Sequence, residues 1–215
     1  CGPRPCASIV MVSNRGVYNR RLPTSLADEA VKVLHVYKDF YPPIAGGIER
    51  HVGLMCRFQQ TEADVLALVC ARRPMGRVRI VDGVPVREAG EWGRFQGAPL
   101  SPSFPLHLRR ANPDVAIMHS PNPTAEISAL VMPPKRTVVR YHSDVVRQAR
   151  SMRFYAPVLR RFLRRADAII ASTSNYVDTS PYLREVRQHC HVIPLGIVPE
   201  TYDQPSGSAI ESLRE

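Results

Sequence analysis

Three polar clusters in the chain carry side chains that could do chemistry. In "YPPIAGGIERH" (41–51) two prolines end an apolar run, and Gly46 and Gly47 stand directly before a helical pattern. Adjacent glycines there let the backbone approach a ligand, and a helix starting at that point offers free N–H groups to a phosphate. They suit a tight turn with a helix cap equally well, so the glycines alone leave both readings open. His119 ends an apolar run and is followed by "SPNP", whose prolines hold the loop stiff. An imidazole held there can hydrogen-bond a sugar hydroxyl or a phosphate, or simply cap its own loop. His142, Ser143 and Asp144 form another such corner. A Ser-His-Asp hydrolase is disfavoured, because there is no G-x-S-x-G elbow and three sequence neighbours rarely reach triad geometry. A nicotinamide dehydrogenase is disfavoured as well, since the glycine spacing is not G-x-G-x-x-G.

The elements that must position these residues follow from periodicity. "VKVLHVY" (31–37) and "DVLALVC" (64–70) predict strands, with a helix over 47–60 between them. "RVRIVDGVPVREA" (77–89) predicts two short strands around Asp82-Gly83, a hairpin dipeptide. Residues 90–105 carry too much glycine and proline for a regular element and are expected to be a loop feeding a short helix, "LHLRRANP". Four further strands are expected at 114–119, 136–142, 167–172 and 191–196, separated by helices at 124–131, 151–165 and 174–184. Apolar, non-alternating strands joined by helices predict an α/β fold: a Rossmann-like, doubly wound, mostly parallel sheet over about 30–198. In such a sheet ligands bind beyond the carboxyl ends of the strands, which is where all three clusters, and "STSNY" with Ser174, fall.

Composition narrows the partners. The net charge is +10 with 29 Lys and Arg against 19 Asp and Glu, which favours phosphate-bearing or polyanionic ligands. Much of the excess lies in 135–165, opposed there only by Asp144. Within "FYAPVLRRFLRRAD", Phe154, Val158, Leu159, Phe162 and Leu163 are expected to form one apolar helical face, leaving Arg160, Arg161, Arg164 and Arg165 for solvent or for an anionic lipid or acidic acceptor surface. Nucleic acid is not expected, since aromatics are only 7% of the chain and no RNA-binding motif is present. No run approaches the roughly 18 apolar residues of a membrane span. Cys1, Cys6, Cys56, Cys70 and Cys190 contain no CxxC pair and no zinc-type spacing, which suits reduced thiols in a cytoplasmic compartment and predicts no metal site. Residues 1–29 are expected to be a leader of low information, and 199–215 a linker toward a further domain.

The blocks "VLHVYKDFYPPIAGGIERHV", "DVAIMHSPNP", "VVRYHSDVV", "ADAIIASTSNYVDTSPYL" and "HVIPLGIVPETY" together resemble the amino-terminal half of a GT-B glycosyltransferase of the GT4 family over roughly 31–203. The resemblance implies a retaining hexosyltransferase as the parent protein, with a nucleotide sugar as co-substrate and no metal required. It carries a donor-diphosphate role onto Gly46 and Gly47 and a place beside the reacting sugar, hence a catalytic role, onto His119. It carries acceptor or sugar contacts onto His142, Ser143, Asp144 and Ser174. The acceptor would be a glycan, a small molecule or a lipid-linked sugar, met in the cytoplasm with peripheral contact at the inner face of an anionic membrane. The family's second domain, with its E-x7-E glutamates, has no counterpart in these residues, so the 215-residue chain alone is expected to be inactive. A non-catalytic, truncated or split module binding an acidic or phosphate-bearing ligand is the alternative.

Overall fold

The structure, a computed structural model, describes residues 30–144 and 149–196 and the backbone of a hairpin, β1 (Ser8–Ser13) with β2 (Gly16–Arg21). The expected leader contains that hairpin and otherwise lies, like the expected linker, outside the described residues.

From residue 30 the chain alternates as expected. β3 (Lys32–Val36) leads into α1 (Gly47–Gln59), followed by β4 (Asp64–Cys70) and the β5 (Arg77–Val81) and β6 (Val84–Ala89) hairpin. Asp82 and Gly83 both take positive φ at that turn, as a two-residue hairpin connection requires. The expected loop over 90–105 holds a small hairpin of its own, β7 (Gly93–Phe95) with β8 (Ala98–Leu100). Its turn residues, Gln96 and Gly97, again have positive φ. Then come α2 (Phe104–Ala111), β9 (Val115–Ser120), α3 (Pro123–Val131), β10 (Thr137–Tyr141), α4 (Ala149–Arg165), β11 (Ala168–Ala171), α5 (Ser174–Thr179), a 3₁₀ segment (Arg184–His189) and β12 (Cys190–Val192). The helix expected over 174–184 stops early because Ser180 precedes Pro181, which pushes it to an extended conformation (ψ 125°).

Eight strands form one sheet in the order β12-β11-β10-β9-β3-β4-β6-β5, parallel except for β5 against β6. Strand order reverses between β3 and β9. In an open parallel sheet the crevice outside the strand ends at such a point is where ligands sit.

The two faces are packed differently. Val65, Ala67, Val69 and Val86 meet Val52 and Cys56 of α1, with Tyr37 and Phe40 closing the cluster. On the other face Leu34, Val36, Leu68, Met118, Val139, Tyr141 and Ile169 pack with side chains from α2, α3, α4 and α5. Within α4, Leu159, Phe162 and Leu163 are buried as expected, but Phe154 is 82% exposed. Tyr155 faces inward in its place, with its hydroxyl on the Glu126 carboxylate, so the apolar stripe is rotated by one residue. Among the described residues no helix is long and apolar enough to cross a membrane.

Candidate functional site

Three histidines line up at the switch point because of strand register. His35 of β3 pairs with Ile117 of β9, and His119 stands two residues further on. His119 pairs with Arg140 of β10, and His142 stands two residues beyond that. Each step crosses one strand and advances two residues toward the carboxyl rim, so alternation keeps all three on one sheet face. His142 continues the ladder just past β10, its N–H donating to the Ser120 carbonyl at 3.0 Å.

The side chains are bonded in a row. His35 Nε2 lies 2.7 Å from Gln59 Oε1 at the end of α1, His35 Nδ1 lies 3.0 Å from His119 Nε2, and His119 Nδ1 lies 2.9 Å from His142 Nε2. The rings stack with centroids 5.3 and 5.2 Å apart. His51 of α1 stands edge-on to His142 at 5.6 Å and to His119 at 6.4 Å, and its buried Nε2 has no hydrogen-bond partner among the described residues.

The environment keeps these rings neutral. Burial lowers His35 to about 4, against the hydrogen bond from its ring to Gln59. Burial, then the charge of Arg140, lowers His51 to about 4. His142 falls to about 3 through burial, His51 and Arg140. His119, 1% exposed, is driven well below the ordinary histidine value by burial and by His35, His142, His51 and Arg140. Desolvation penalises the charged imidazole, and each ring would be repelled by its neighbours.

The loop after β9 is clamped from below. Glu126 of α3 is 1% exposed and accepts from Ser120 Oγ at 2.6 Å, from the Asn122 N–H at 2.9 Å and from the Tyr155 hydroxyl. Burial pushes its carboxyl up to about 7, the first two of these bonds opposing the shift. Asn122 caps α3 through the Ala125 N–H, while its buried Nδ2 has no partner among the described residues.

The loop after β3 is clamped as well. Asp39, 4% exposed, takes Arg94 on both oxygens at 2.7 and 2.8 Å and Arg72 at 2.9 and 3.2 Å, and Arg94 also holds Glu91. Burial pushes the Asp39 carboxyl up, but the two guanidinium groups outweigh it and hold it below the usual range.

At the end of this loop α1 begins. Gly46 is extended (φ −127°, ψ 161°), and neither Gly46 nor Gly47 is among the positive-φ glycines. The turn therefore does not need glycine for its conformation. A Cβ on Gly46 would meet the Glu49 carboxylate at 2.0 Å, whereas one on Gly47 would find nothing within 4 Å. Gly47 thus leaves open space at the start of the helix.

The remaining predicted site residues disperse. Asp144 turns to the opposite face and accepts from Tyr141 at 2.7 Å and Ser180 at 2.9 Å, so the His142, Ser143, Asp144 neighbours form no relay. Ser143 is exposed. Ser174 is exposed at the first position of α5, whose cap is Thr173. On α4, Arg160 and Arg164 share Glu185 at 2.7 and 3.0 Å, and Arg160 also lies over Tyr182. Arg161, Arg164 and Arg165 rim a hollow of about 540 Å³ floored by Leu130, Pro157 and Val158. Among the described residues no group of His, Cys, Asp and Glu is arranged to hold a metal ion.

Sequence reasoning missed His35, His51, Gln59 and Glu126. His35 lies inside an apolar strand, and its signal is a polar residue of the same parity as the inward face, readable only once the register is known.

A family profile described as Glycosyltransferase Family 4 matches residues 45–201. The O-antigen chain mannosyltransferase C of Escherichia coli is 34% identical over 173 residues, covering 78% of this chain and 46% of that protein. The D-rhamnosyltransferase WbpZ of Pseudomonas aeruginosa is 31% identical over 189 residues, covering 86% of this chain and 50% of that one. The chain thus spans about half the length of these curated relatives. Crystal structures of HepE from Anabaena superpose with a TM-score of 0.58 for the complex with UDP-glucose (15% identity, 85% of this chain and 48% of that one) and 0.59 for the complex with UDP and glucose (16% identity, 86% and 49%). At such identity the likeness is one of fold.

Proposed function

The chain belongs to glycosyltransferase family 4, and from that premise we propose that it is the amino-terminal, acceptor-side domain of a retaining enzyme that moves a hexose from a nucleotide sugar to a glycan or lipid-linked acceptor. The observation that carries this reading is the convergence, at the β3/β9 switch point, of an open helix start at Gly47 with the neutral histidine row. Relatives named as a mannosyl- and a D-rhamnosyltransferase support a manno-configured donor, D-rhamnose being a 6-deoxymannose. HepE was crystallised with UDP-glucose and with UDP, which supports a nucleotide diphosphate as the carrier.

In the reaction the bond between the anomeric carbon and the diphosphate oxygen breaks, and its electron pair leaves with the diphosphate. The acceptor hydroxyl oxygen bonds the anomeric carbon as its proton passes to the departing diphosphate oxygen. Growing negative charge on the leaving group is met by the backbone N–H groups at Gly46 and Gly47, to which we assign that role rather than to a metal ion. The histidine row, with His119 at its centre, lies under the sugar. We assign exposed Ser143 and Ser174 to the acceptor side, whereas Asp144 is committed to Tyr141 and Ser180. The basic surface of α4 faces an anionic bilayer on the cytoplasmic side. The partner wall of the cleft belongs to a second domain after the 199–215 linker.

Calorimetric titration of GDP-, UDP- and ADP-sugars against the chain tests the reading. One nucleotide class is expected to bind, without turnover by this chain alone. Gly47→Ala should weaken that binding about tenfold while Tm holds or rises, since alanine is the better helix former and meets no protein atom. No binding by any of the three, or binding indifferent to Gly47→Ala, overturns it.

A further inference from the structure

The histidine row has a direction, and one end of it is set outside the rim. The Gln59 carbonyl oxygen can only accept, so the proton between it and His35 sits on His35 Nε2. A neutral imidazole carries a single N–H, so His35 Nδ1 is an acceptor and receives the proton of His119 Nε2. His119 Nδ1 then accepts in turn, from His142 Nε2. All three rings are therefore held as the Nε2–H tautomer, and Nδ1 is the acceptor nitrogen of His142.

His119 has both ring nitrogens engaged by other imidazoles and is 1% exposed. His142 is only half-buried and lies furthest toward the carboxyl rim. Gln59 cannot pass a proton on, so the row orients its rings and does not conduct protons. Turning the Gln59 amide would reverse every bond and present His142 as a donor. One side chain at the far end of α1 thus determines what the rim offers.

We propose that Gln59 and His35 are positioning residues that fix the tautomers of His119 and His142, so that His142 is the imidazole that accepts a hydrogen bond from a ligand hydroxyl and His119 acts through it. The identity of that ligand as a sugar rests on the glycosyl-transfer reading; the tautomer assignment does not.

Two-bond proton–nitrogen NMR of the ¹⁵N-labelled chain at pH 7 reads the tautomers directly. The native chain is expected to show His35, His119 and His142 as single Nε2–H forms. Gln59→Leu should give His142 a mixture of the two tautomers. Gln59→Glu, which keeps an acceptor, should restore the native pattern. A merely structural role for Gln59 would not produce that order. His35→Phe keeps a ring in the stack and cuts the same row, so it serves as a second route to the mixture. An Nδ1–H form of His142 in the native chain, or a His142 signal unmoved by both Gln59→Leu and His35→Phe, overturns the proposal. Added nucleotide sugar should shift the His142 Nδ1 resonance. If the tautomers stand as assigned and that resonance does not move, the ligand-accepting role of His142 is overturned while the row remains.

Discussion

Glu126 and the three bonded histidines respond to acid in opposite directions. A histidine whose folded value lies below its unfolded one binds fewer protons when folded, so its stability contribution is present above about pH 6.5 and is lost as pH falls toward 4. For fully buried His35 the loss is roughly 3 kcal/mol. Glu126 is shifted upward to about 7, so its contribution is present below the ordinary carboxylate range and is lost as pH rises through 7. Thermal unfolding should therefore show Tm falling between pH 6.5 and 4, with Glu126 blunting the fall. Glu126→Gln removes that opposing slope, and the acid loss of Tm should steepen; an unchanged slope would contradict the buried, upshifted carboxyl. This balance was only half legible in the sequence. His119 and His142 announce themselves at strand ends, but the bonds that make them one unit depend on His35 and Gln59, 84 and 24 positions from their partners in the row. The first distance closes through parallel register and the second through the return of α1 across the sheet, neither of which periodicity encodes.

At the level of elements, strands were read to within two residues for most of the chain because each is a short apolar run bounded by turn residues; β12, which ends at Val192, and α5, stopped by Pro181, fell short. The β7–β8 hairpin was not readable. It is three residues a side, turns at Gln96-Gly97 rather than a recognised dipeptide, and is held by a charge network instead of apolar alternation. Arg94 from that hairpin fastens the loop after β3 through Asp39 and sets the approach to α1. Removing it leaves Asp39 and Glu91, 4% and 5% exposed, without their main partner. Arg94→Ala is expected to cost about 3–5 kcal/mol in urea unfolding, as breaking a buried pair does. Arg72→Ala should cost about 1 kcal/mol or less, because Arg72 is half exposed and Arg94 still covers the carboxylate. Equal costs would show that the hairpin does not anchor the loop.

The whole molecule separates its two kinds of positive charge. Arg72 and Arg94 are spent on Asp39, whereas the outer side of α4 keeps Arg161 and Arg165 around an apolar floor that includes Val158, with Phe154 exposed nearby. Arg160 and Arg164 are partly neutralised by Glu185. If this surface meets an anionic bilayer, the contributions should divide along that line, since a basic residue at such a surface is worth about 1 kcal/mol. Flotation with phosphatidylserine vesicles is expected to retain the chain at 0.1 M salt and release it at about 1 M, where the Debye length shrinks to about 3 Å. The double variant Arg161→Gln, Arg165→Gln should weaken binding by about 2 kcal/mol, roughly thirtyfold. Arg160→Gln should change it far less and instead cost a few tenths of a kcal/mol of stability by removing one of the two ion pairs of Glu185, which keeps Arg164. Retention that survives high salt, or a double variant that floats like the native chain, would assign the hollow on α4 to an apolar partner rather than to lipid phosphate.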